Sequence, residues 1–336
     1  MRAAATVLLA AVVLVPGAAS ATDDDDVVTT ITDERLPESS GLVQSTTDPS
    51  LAYTVNDSGN PSVVYVVELA SGDLVGSAAL RDVELVDAEA LAIGADDRLY
   101  VADIGDNDGV RRRVDLYAIR QPDRGDVTVG SVRHRVRYAD GPRDAEALVS
   151  DVLDGSFYIA SKGLLGGEVY RLGRLRVDGV TVARPLDDVT VPGLVTDADV
   201  VRRRGGVVLR TYTDAYVLAV PGWELLDSLP LPLQQQGETL AVIDGGPAVY
   251  VGTEGLPSPL SRVQLPDDAW RELGRRQQDA EREPEPDTGG ESADIEPAGP
   301  RDAGTPGRNR GRLAVGGGAI LLLTGALLLA RRRARR

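Results

Sequence analysis

The 336-residue chain contains no cysteine and only one histidine, His134. The absence of cysteine excludes disulfide bonds and thiolate nucleophiles, and the usual zinc sites built from His and Cys are excluded as well. A Ser-His-Asp triad would have to use His134, which stands in the basic run Arg133-His134-Arg135. We predict that this run is an exposed part of an outer strand, so His134 is not expected to be catalytic.

Positive charge is scarce, and almost all of it is arginine. The chain has 36 Lys and Arg residues against 52 Asp and Glu residues, and Lys162 is the only lysine. The formal net charge of −16 argues against a nucleic-acid partner, because such a partner needs a basic surface that neutralises phosphates.

Long hydrophobic runs occur only at the two ends. Residues 1–21 have one early arginine, an apolar core and Ala19-Ser20-Ala21 at the end, which predicts a secretory signal peptide. Residues 313–330 are apolar and uncharged, long enough at about 1.5 Å per residue to cross a membrane as a helix. No LPxTG-type motif precedes them, so we favour a retained membrane span over a cell-wall sorting signal. The basic residues 331–336 should then be cytoplasmic, so we expect a single-pass membrane protein with an extracellular domain at 22–266.

The segment between that domain and the span has a different composition. Residues 267–312 are rich in Pro, Glu, Asp, Gly and Arg, with room for a short helix over Trp270 to Glu281. Such a composition cannot bury a core, so we predict a disordered stalk.

A short phrase, an acidic or small polar residue followed by an apolar pair, recurs five times. Aligned on the apolar pair, its middle residues are Ser40, Glu89, Glu146, Asp199 and Glu238. The intervals of 49, 57, 53 and 39 residues are typical of repeated supersecondary units.

Short β-branched and aromatic runs follow each phrase, separated by Gly, Asp and Pro turns, and they predict hairpin-connected strands. Four antiparallel strands in each unit of about 40–50 residues predict an all-β fold, a β-propeller of five blades. Six blades are the alternative if the long second interval hides a degenerate blade, and a β-sandwich is the alternative fold. The last unit lacks a fourth strand, so we predict that Val27 to Thr32 supplies it and closes the ring.

In a propeller, the first strand of each blade lines the channel and the second runs antiparallel to it. The start of strand one and the end of strand two therefore share one mouth, where polar residues of this chain should converge. The residues expected to bind a ligand there are Asn56, Asp57, Asp87, Asp103, Asp106, Asn107, Asp144, Lys162, Asp197, Arg210 and Glu254.

Carboxylates around a narrow channel cannot all stay charged unaided. Two unit charges about 5 Å apart repel by about 3 kcal/mol at an effective dielectric constant of about 20, so a cation, protons or hydrogen bonds are needed. Carboxylate and hydroxyl oxygens suit Ca²⁺ better than zinc. We predict a central Ca²⁺ held by Ser40, Glu89, Glu146, Asp199 and Glu238. The alternative is that these acids accept hydrogen bonds from backbone N–H groups of the neighbouring blade.

The run from Asp103 to Gly109 crowds Asp with Gly and has two interpretations. It could be a second, local Ca²⁺ loop, although it lacks the twelve-residue spacing and the terminal Glu of an EF-hand. An Asx-rich turn is the other interpretation.

The first unit, Tyr53-Thr54-Val55-Asn56-Asp57-Ser58-Gly59 leading to Val64-Tyr65, resembles a phrase of the calcium-activated nucleotidases (apyrases). Ala88-Glu89-Ala90-Leu91 with Leu99-Tyr100-Val101 is similar to another. The resemblance covers roughly Pro37 to Leu265. It implies five blades and a channel Ca²⁺ held by Ser and Glu residues of successive blades. This chain departs in having Asp199 and in lacking the aromatic and basic residues expected around a nucleotide. Its Asn-Asp-Ser-Gly and Asp-Ile-Gly-Asp-Asn phrases also resemble uncharacterised secreted bacterial propellers, which implies no activity.

Two functions follow as expectations. The first is a surface-anchored binding or scaffold module whose acidic mouth binds a cation, a cationic ligand or a partner protein. The alternative is a Ca²⁺-dependent hydrolase of phosphate esters or anhydrides, in which Asp57 or Asp103 activates water and Lys162 and Arg210 offset phosphate charge. A glycan-active enzyme that uses two carboxylates is a third, weaker hypothesis.

Overall fold

The computed structural model of the protein describes residues 26–151 and 154–282. These residues belong to one of two structural units, Met1–Glu285, and the second unit, Pro286–Arg336, is not described. The predicted signal peptide, the membrane span, the basic tail and residues 283–312 of the stalk lie outside the described ranges. Within those ranges, no helix is long and apolar enough to cross a membrane.

Short β-strands make up most of the described chain, as the β-rich runs predict. In chain order they are β1 (Val27–Ile31), β2 (Ser39–Gln44), β3 (Leu51–Asn56), β4 (Val63–Glu68), β5 (Leu74–Leu80), β6 (Ala88–Ile93), β7 (Arg98–Asp103), β8 (Val114–Arg120), β9 (Gly125–Val129), β10 (Val132–Tyr138), β11 (Ala145–Ser150), β12 (Phe157–Ser161), β13 (Gly167–Gly173), β14 (Val180–Val191), β15 (Val195–Val201), β16 (Gly206–Thr211), β17 (Asp214–Ala219), β18 (Glu224–Pro230), β19 (Gly237–Val242), β20 (Ala248–Thr253) and β21 (Ser258–Gln264).

The strands pair antiparallel with their neighbours in sets of four. In the described residues these sets are β2-β3-β4-β5, β6-β7-β8-β10, β11-β12-β13-β14, β15-β16-β17-β18 and β19-β20-β21-β1. The last set contains the N-terminal strand, because β1 pairs antiparallel with β21 and places Ile31 opposite Ser258. The prediction that residues near Val27 complete the last unit is therefore confirmed.

The first strand of each set contacts the first strands of two other sets. β2 contacts β6, β6 contacts β11, β11 contacts β15, β15 contacts β19, and β19 contacts β2. These contacts close a ring, and all five strands are buried along their whole length. The arrangement is all-β and propeller-like, with the repeated phrases on its innermost strands.

Apolar side chains fill the space between neighbouring sets. One core joins Tyr53 and Val66 of the first set to Ile93 and Tyr117 of the second. Corresponding cores join the second set to the third, the third to the fourth, the fourth to the fifth and the fifth to the first. Full burial of one large aliphatic or aromatic side chain stabilises a fold by about 1.5–3 kcal/mol, so these cores hold the ring together.

Two parallel pairings, which the sequence pattern did not predict, join outer strands. β9 pairs with β5 in parallel, and β10 pairs with β14 in parallel. β9 lies in the long second interval of the repeat and explains part of its extra length. Its residues are mostly exposed and carry little apolar pattern, which is why no strand was predicted there.

Helix α1 (Asp267–Arg282) corrects the predicted start of the stalk. Asp267 and Asp268 lie in its first turn, where negative charge favours the positive end of the helix dipole. Ala269 and Leu273, four positions apart, are buried in the core between the fourth and fifth sets. The short helix that the sequence allowed over Trp270 to Glu281 is therefore present, and it extends the folded unit sixteen residues beyond the predicted boundary.

His134 is on an outer strand, as predicted, but it is not exposed. Its side chain in β10 is buried, and Nδ1 lies 3.0 Å from the backbone oxygen of Arg176. The ring also lies 6.1 Å from the ring of Tyr100. The prediction of exposure was wrong because alternate side chains of β10 face the core, and His134 lies on the buried side of the strand.

Candidate functional site: an acidic mouth

The polar ends of the first two strands of each set meet at one end of the ring. Backbone hydrogen bonds join Asp57 N to Glu38 O, Gly105 N to Asp87 O and Lys162 N to Asp144 O. Glu254 N bonds to Gln236 O in the same way. We call this end the acidic mouth and define it by Ser40, Asp57, Asp87, Glu89, Asp144, Glu146, Lys162, Thr196, Tyr212, Glu238 and Glu254.

Three glutamates occupy equivalent positions in this mouth. In β6, Ala88 pairs with Asp103 and Ala90 with Ala102, so Glu89 falls at a bulge. Glu146 falls at a matching bulge in β11, and Glu238 at a third in β19. A bulge re-aims a side chain, and here it does so at the same place in three sets. All three side chains are buried.

The fourth set places a threonine at that position, not Asp199. In β15, Val195 pairs with Thr211 and Asp197 with Arg210, so Thr196 occupies the bulge. Asp199 lies three residues further along and pairs with Val208. Its carboxylate accepts hydrogen bonds from Val200 N at 2.7 Å and Val242 N at 2.9 Å. Asp199 therefore does not occupy the ring position to which the sequence assigned it. Its carboxylate accepts backbone hydrogen bonds, as in the alternative interpretation of these acidic residues.

Hydroxyl groups of Ser40 and Thr196 join neighbouring inner strands. Ser40 Oγ donates to the backbone oxygen of Glu89 at 3.1 Å and lies 3.0 Å from Glu89 Oε2. Thr196 Oγ1 donates to the backbone oxygen of Gly237 at 2.9 Å. Four sets thus place Glu89, Glu146, Thr196 and Glu238 at the bulge. In β2 the bulge falls at Gly41, and Ser40 precedes it, paired with Val55.

Asp57, Asp87 and Glu89 form the densest group of carboxylates. One carboxylate oxygen from each lies within 4.8 Å of those of the other two. Burial and the neighbouring charge of Asp57 raise the pKa of Asp87 to about 7. Burial, with the charges of Glu146, Asp57 and Asp87, raises the pKa of Glu89 well above its ordinary value. A cation between these oxygens would relieve both costs.

Gly105 lets these carboxylates approach the second strand. A Cβ atom at residue 105 would lie 2.5 Å from Asp87 Oδ2 and 2.7 Å from Glu89 Oε1. Any other residue there would displace the two side chains, so the glycine is part of the site geometry.

Lys162 occupies the other side of the mouth. Its Nζ lies 2.8 Å from Glu146 Oε1 and 5.5 Å from the ring centre of Tyr212. Burial raises the pKa of Glu146 to about 8, although the lysine opposes that shift. Burial also raises the pKa of Glu238, whose Oε1 accepts a hydrogen bond from Gln236 Nε2 at 2.8 Å. Gln236 Nε2 donates to the carboxylate of Glu254 as well.

Asp103 and Asp106 hold the loop that the sequence marked as a second Ca²⁺ candidate. Asp103 accepts hydrogen bonds from Asp87 N at 3.0 Å and Arg111 Nη2 at 2.7 Å. Asp106 accepts from Val110 N at 2.9 Å and Arg111 N at 2.7 Å. These bonds are those of an Asx-rich turn. They also occupy the Asp103 carboxylate, so the geometry does not favour Asp103 as a group that activates water.

The remaining polar residues of this region differ in exposure and in hydrogen bonding. Asn107 is exposed, and Asp144 Oδ1 accepts a hydrogen bond from Asp106 N at 2.9 Å. Burial raises the pKa of Asp144. Asn56 is buried and bonds to the backbone of Glu38 and Arg35, so it orders the loop before β2 and is not free to bind a ligand.

Asp197 and Arg210 are fully buried below the mouth, contrary to their predicted ligand-binding role. Asp197 Oδ2 accepts from Leu240 N at 2.7 Å and Leu42 N at 3.2 Å, and so joins three inner strands. Arg210 donates to the backbone oxygens of Thr239, Gly252 and Thr211 and to Gln234 Oε1. Burial lowers the pKa of Arg210 to about 10. Both side chains are occupied by hydrogen bonds inside the ring, and the charge of Arg210 acts on the mouth only by lowering the pKa of Glu238.

Comparisons with known proteins give similarity of fold only. No family model matches the chain, and no curated protein matches it. Among solved structures, glutaminyl cyclase of Myxococcus xanthus is 13% identical, with a TM-score of 0.45 over 72% of this chain and 97% of that one. A Dos1 propeller is 14% identical, with a TM-score of 0.35 over 68% and 59%. Raptor of Chaetomium thermophilum is 11% identical, with a TM-score of 0.40 over 72% and 30%. At these TM-scores the similarities carry no argument about function, and none of them links the chain to the nucleotidases.

Proposed function

We propose that this protein is a five-bladed β-propeller that binds an extracellular ligand or partner at the acidic mouth, with a divalent cation in the central channel. The five four-stranded sets and the closed ring of first strands support the blade number. The observation that carries the binding role is the convergence of Glu89, Glu146 and Glu238 at equivalent bulges. Such a concentration of buried carboxylates is costly unless a positively charged group binds there.

The donor set fits calcium. Glu89, Glu146 and Glu238 offer carboxylate oxygens, and Thr196 offers a hydroxyl oxygen at the bulge of the fourth set. Ser40, one residue before the bulge of β2, offers a second hydroxyl oxygen beside Glu89. Hard oxygen ligands of this kind, together with water, match the preference of Ca²⁺ for six to eight oxygens. The cation would neutralise the mouth and fix the inner strands relative to one another.

Thermal unfolding of the full-length protein in EDTA and in Ca²⁺ tests this proposal. We expect Ca²⁺ to raise the melting temperature, because a ligand that binds only the folded state stabilises it. Glu146→Gln should abolish most of that increase. Asp115→Asn is the matched control, since Asp115 is a buried carboxylate that pairs with Arg133 away from the channel. An equal melting temperature in EDTA and Ca²⁺ would refute the central cation.

The location is also part of the proposal. The apolar run 313–330, the basic residues after it and the N-terminal signal pattern support an anchored protein whose propeller is outside the cell. Protease treatment of intact cells tests this, because an extracellular propeller should be degraded without cell lysis.

A Ca²⁺-dependent phosphohydrolase on the same face is the second candidate. The pKa of Asp87 near 7, beside Asp57, favours it, because a carboxyl group that exchanges protons near neutral pH suits general acid–base catalysis. Asp57 would be the carboxylate that activates water, and Lys162 would bind phosphate oxygens. Release of phosphate from nucleoside di- and triphosphates in Ca²⁺ would support this activity. Asp57→Asn should then lower the rate at least a hundredfold.

A further inference from the structure

Exposed aliphatic side chains are concentrated around the acidic mouth. In the described ranges, seven large aliphatic side chains are more than half exposed, and five of them lie in loops at this end. We call these five the apolar rim: Val86, Val110, Leu164, Leu165 and Leu233. Leu165, at the tip of the loop between β12 and β13, is 97% exposed. The other two are Val177, in a loop at the opposite end, and Leu225, on the outer strand β18.

This asymmetry marks the mouth as an interaction surface. Single exposed aliphatic residues are normal, but a group on one face, around a polar centre, is typical of a binding site. The loop that carries Leu164 and Leu165 begins at Lys162, which pairs with Glu146 in the acidic mouth. This part of the apolar rim is therefore adjacent to the carboxylates of the mouth.

Two ion pairs compensate part of the negative charge inside the rim. Lys162 forms an ion pair with Glu146, and Arg111 forms one with Asp103. Within the part of the chain that the structure covers, no Lys or Arg side chain forms an ion pair with Asp57, Asp87 or Glu89. In the described ranges that group of three carboxylates therefore has no ion-pair partner, although the charge of Arg111 acts on the pKa of Asp87.

Lys162 demonstrates that an ammonium group fits among these side chains. Its Nζ is held at 2.8 Å from a buried carboxylate oxygen and 5.5 Å from the centre of the Tyr212 ring. A carboxylate with an aromatic ring nearby is a favourable setting for a cation. A second ammonium or guanidinium group, from a ligand, would meet three closely spaced carboxylates at Asp57, Asp87 and Glu89.

We propose that the acidic mouth docks a peptide segment in which one lysine or arginine is flanked by apolar side chains. The basic side chain enters the mouth towards Asp57, Asp87 and Glu89, and the apolar side chains cover the apolar rim. This inference rests on the binding role proposed above but not on the central cation, which would compete with the basic side chain for Glu89. A membrane surface fits less well, because its anionic headgroups would meet the carboxylates of the mouth.

A synthetic peptide series tests the inference on the full-length protein. The probe is a fluorescein-labelled peptide, Gly-Ser-Leu-Leu-Lys-Leu-Ser-Gly, and its binding is measured by fluorescence anisotropy. One matched peptide has norleucine in place of lysine, and a second has serine in place of the three leucines. We expect each change to weaken binding at least tenfold, because it removes either the charge or the apolar contact.

Protein variants locate the binding. Leu165→Ser and Asp57→Asn should each weaken binding of the Lys-Leu peptide at least fivefold. Val177→Ser is the control, since Val177 is a similarly exposed aliphatic residue at the opposite end. It should bind the peptide like the wild type. Leu165 is almost fully exposed, so its replacement should leave the fold unchanged.

Three results would overturn the inference. The first is equal binding of all three peptides. The second is equal binding of the Lys-Leu peptide by the wild type and Leu165→Ser. The third is binding of phosphatidylcholine vesicles but no peptide, which would identify a lipid surface as the occupant of the rim. Calcium titration of the same preparation without peptide separates the two proposals. Calcium binding without peptide binding refutes this inference and leaves the central cation standing, and the reverse result refutes only the cation.

Discussion

Lys162 Nζ lies 2.8 Å from Glu146 Oε1, so the only lysine of the chain is bound inside the acidic mouth. Glu146 is almost fully buried and Lys162 is mostly buried. The lysine thus acts as an internal cation for one side of the mouth and competes there with any metal ion. Glu238 faces the same ammonium group, since Lys162 lowers the pKa that burial raises.

Replacement of Lys162 should destabilise the metal-free protein. In Lys162→Met, Glu146 loses its ion-pair partner, and breaking a buried pair costs about 3 kcal/mol of unfolding free energy. Calcium should stabilise this variant more than the wild type, because no ammonium group competes for the carboxylate. Urea denaturation in EDTA and in Ca²⁺ measures both effects. Arg171→Met is the control: its ion pair with Asp154 is about half exposed, so the loss should stay below about 1 kcal/mol.

The metal-free protein should lose stability as pH rises from about 4 to about 8. The pKa of Asp87 rises from 3.8 to about 7 on folding, and that of Glu146 from 4.5 to about 8. In this window the folded state holds protons that the unfolded chain has released. The stability contribution is therefore complete below the ordinary pKa values and is lost as pH rises through the raised ones. Unfolding free energies in EDTA from pH 5 to 8.5 measure the slope.

Two comparisons sharpen that pH experiment. Glu146→Gln should reduce the slope, because its side chain no longer titrates, and saturating Ca²⁺ should reduce it in the wild type. A metal-free stability that is constant or increases between pH 5 and 8 would contradict the account of the buried carboxyl groups.

Thr196 and Asp199 should have opposite phenotypes. Thr196→Val removes a hydroxyl from the ring position and should lower calcium affinity several-fold. Asp199→Asn should leave that affinity unchanged and lower the unfolding free energy by about 1–3 kcal/mol, because Asp199 accepts backbone hydrogen bonds within β15 and from β19. Calcium titration and urea denaturation of the two variants check this. If Asp199→Asn lost calcium affinity and Thr196→Val did not, Asp199 would be the ring residue of the fourth set, as first expected from the sequence.

Arg210 should prove structural and not ligand-binding. Arg210→Met leaves the backbone oxygens of Thr239 and Gly252 without their donor, and Asp197 without a nearby positive charge. We expect a loss of about 3–5 kcal/mol in unfolding free energy, with the peptide affinity of the folded protein unchanged. Arg210→Lys should not rescue the loss, since one ammonium group cannot reach all the acceptors of the guanidinium group. Impaired binding with full stability would contradict this role.

Most strands of this fold could be predicted from the sequence because short local residue patterns indicate them. Short apolar runs with tyrosine between Gly and Asp turns predicted the four strands of most units, and the β-prone residues before Leu36 predicted the closing strand β1. β9 and the parallel pairing of β10 with β14 were not predicted. Both pairings involve partners distant in the chain, and no periodic pattern records them.

The register of the fourth unit could have been found from a different spacing. Thr196 precedes the end of its second strand, Thr211, by 15 residues, the same separation as Glu146 from Ser161 and Glu238 from Thr253. Asp199 precedes Thr211 by only 12 residues. Alignment on the apolar pair placed Asp199 at the ring position because Val200-Val201 resembles the apolar pairs that follow Glu89 and Glu146.

The roles of Asp197, Asp103 and Arg210 could not be assigned from the sequence alone. All three lie near strand ends, as the true residues of the mouth do, and the sequence does not record which backbone groups need partners. Asp197 binds N–H groups of two other inner strands, and Arg210 binds carbonyl oxygens from its own strand and two others. Those partners exist only after the ring has closed.

Isothermal titration of the full-length protein with Ca²⁺ tests the central claim most directly. The account predicts one tight site per chain and a loss of affinity of about tenfold or more in Glu89→Gln, Glu146→Gln and Glu238→Gln, because these residues supply the charged oxygens of one site. It also predicts an unchanged site in Asp115→Asn. The absence of any calcium binding by the folded wild-type protein would contradict the account, and so would a site that survives all three glutamine substitutions.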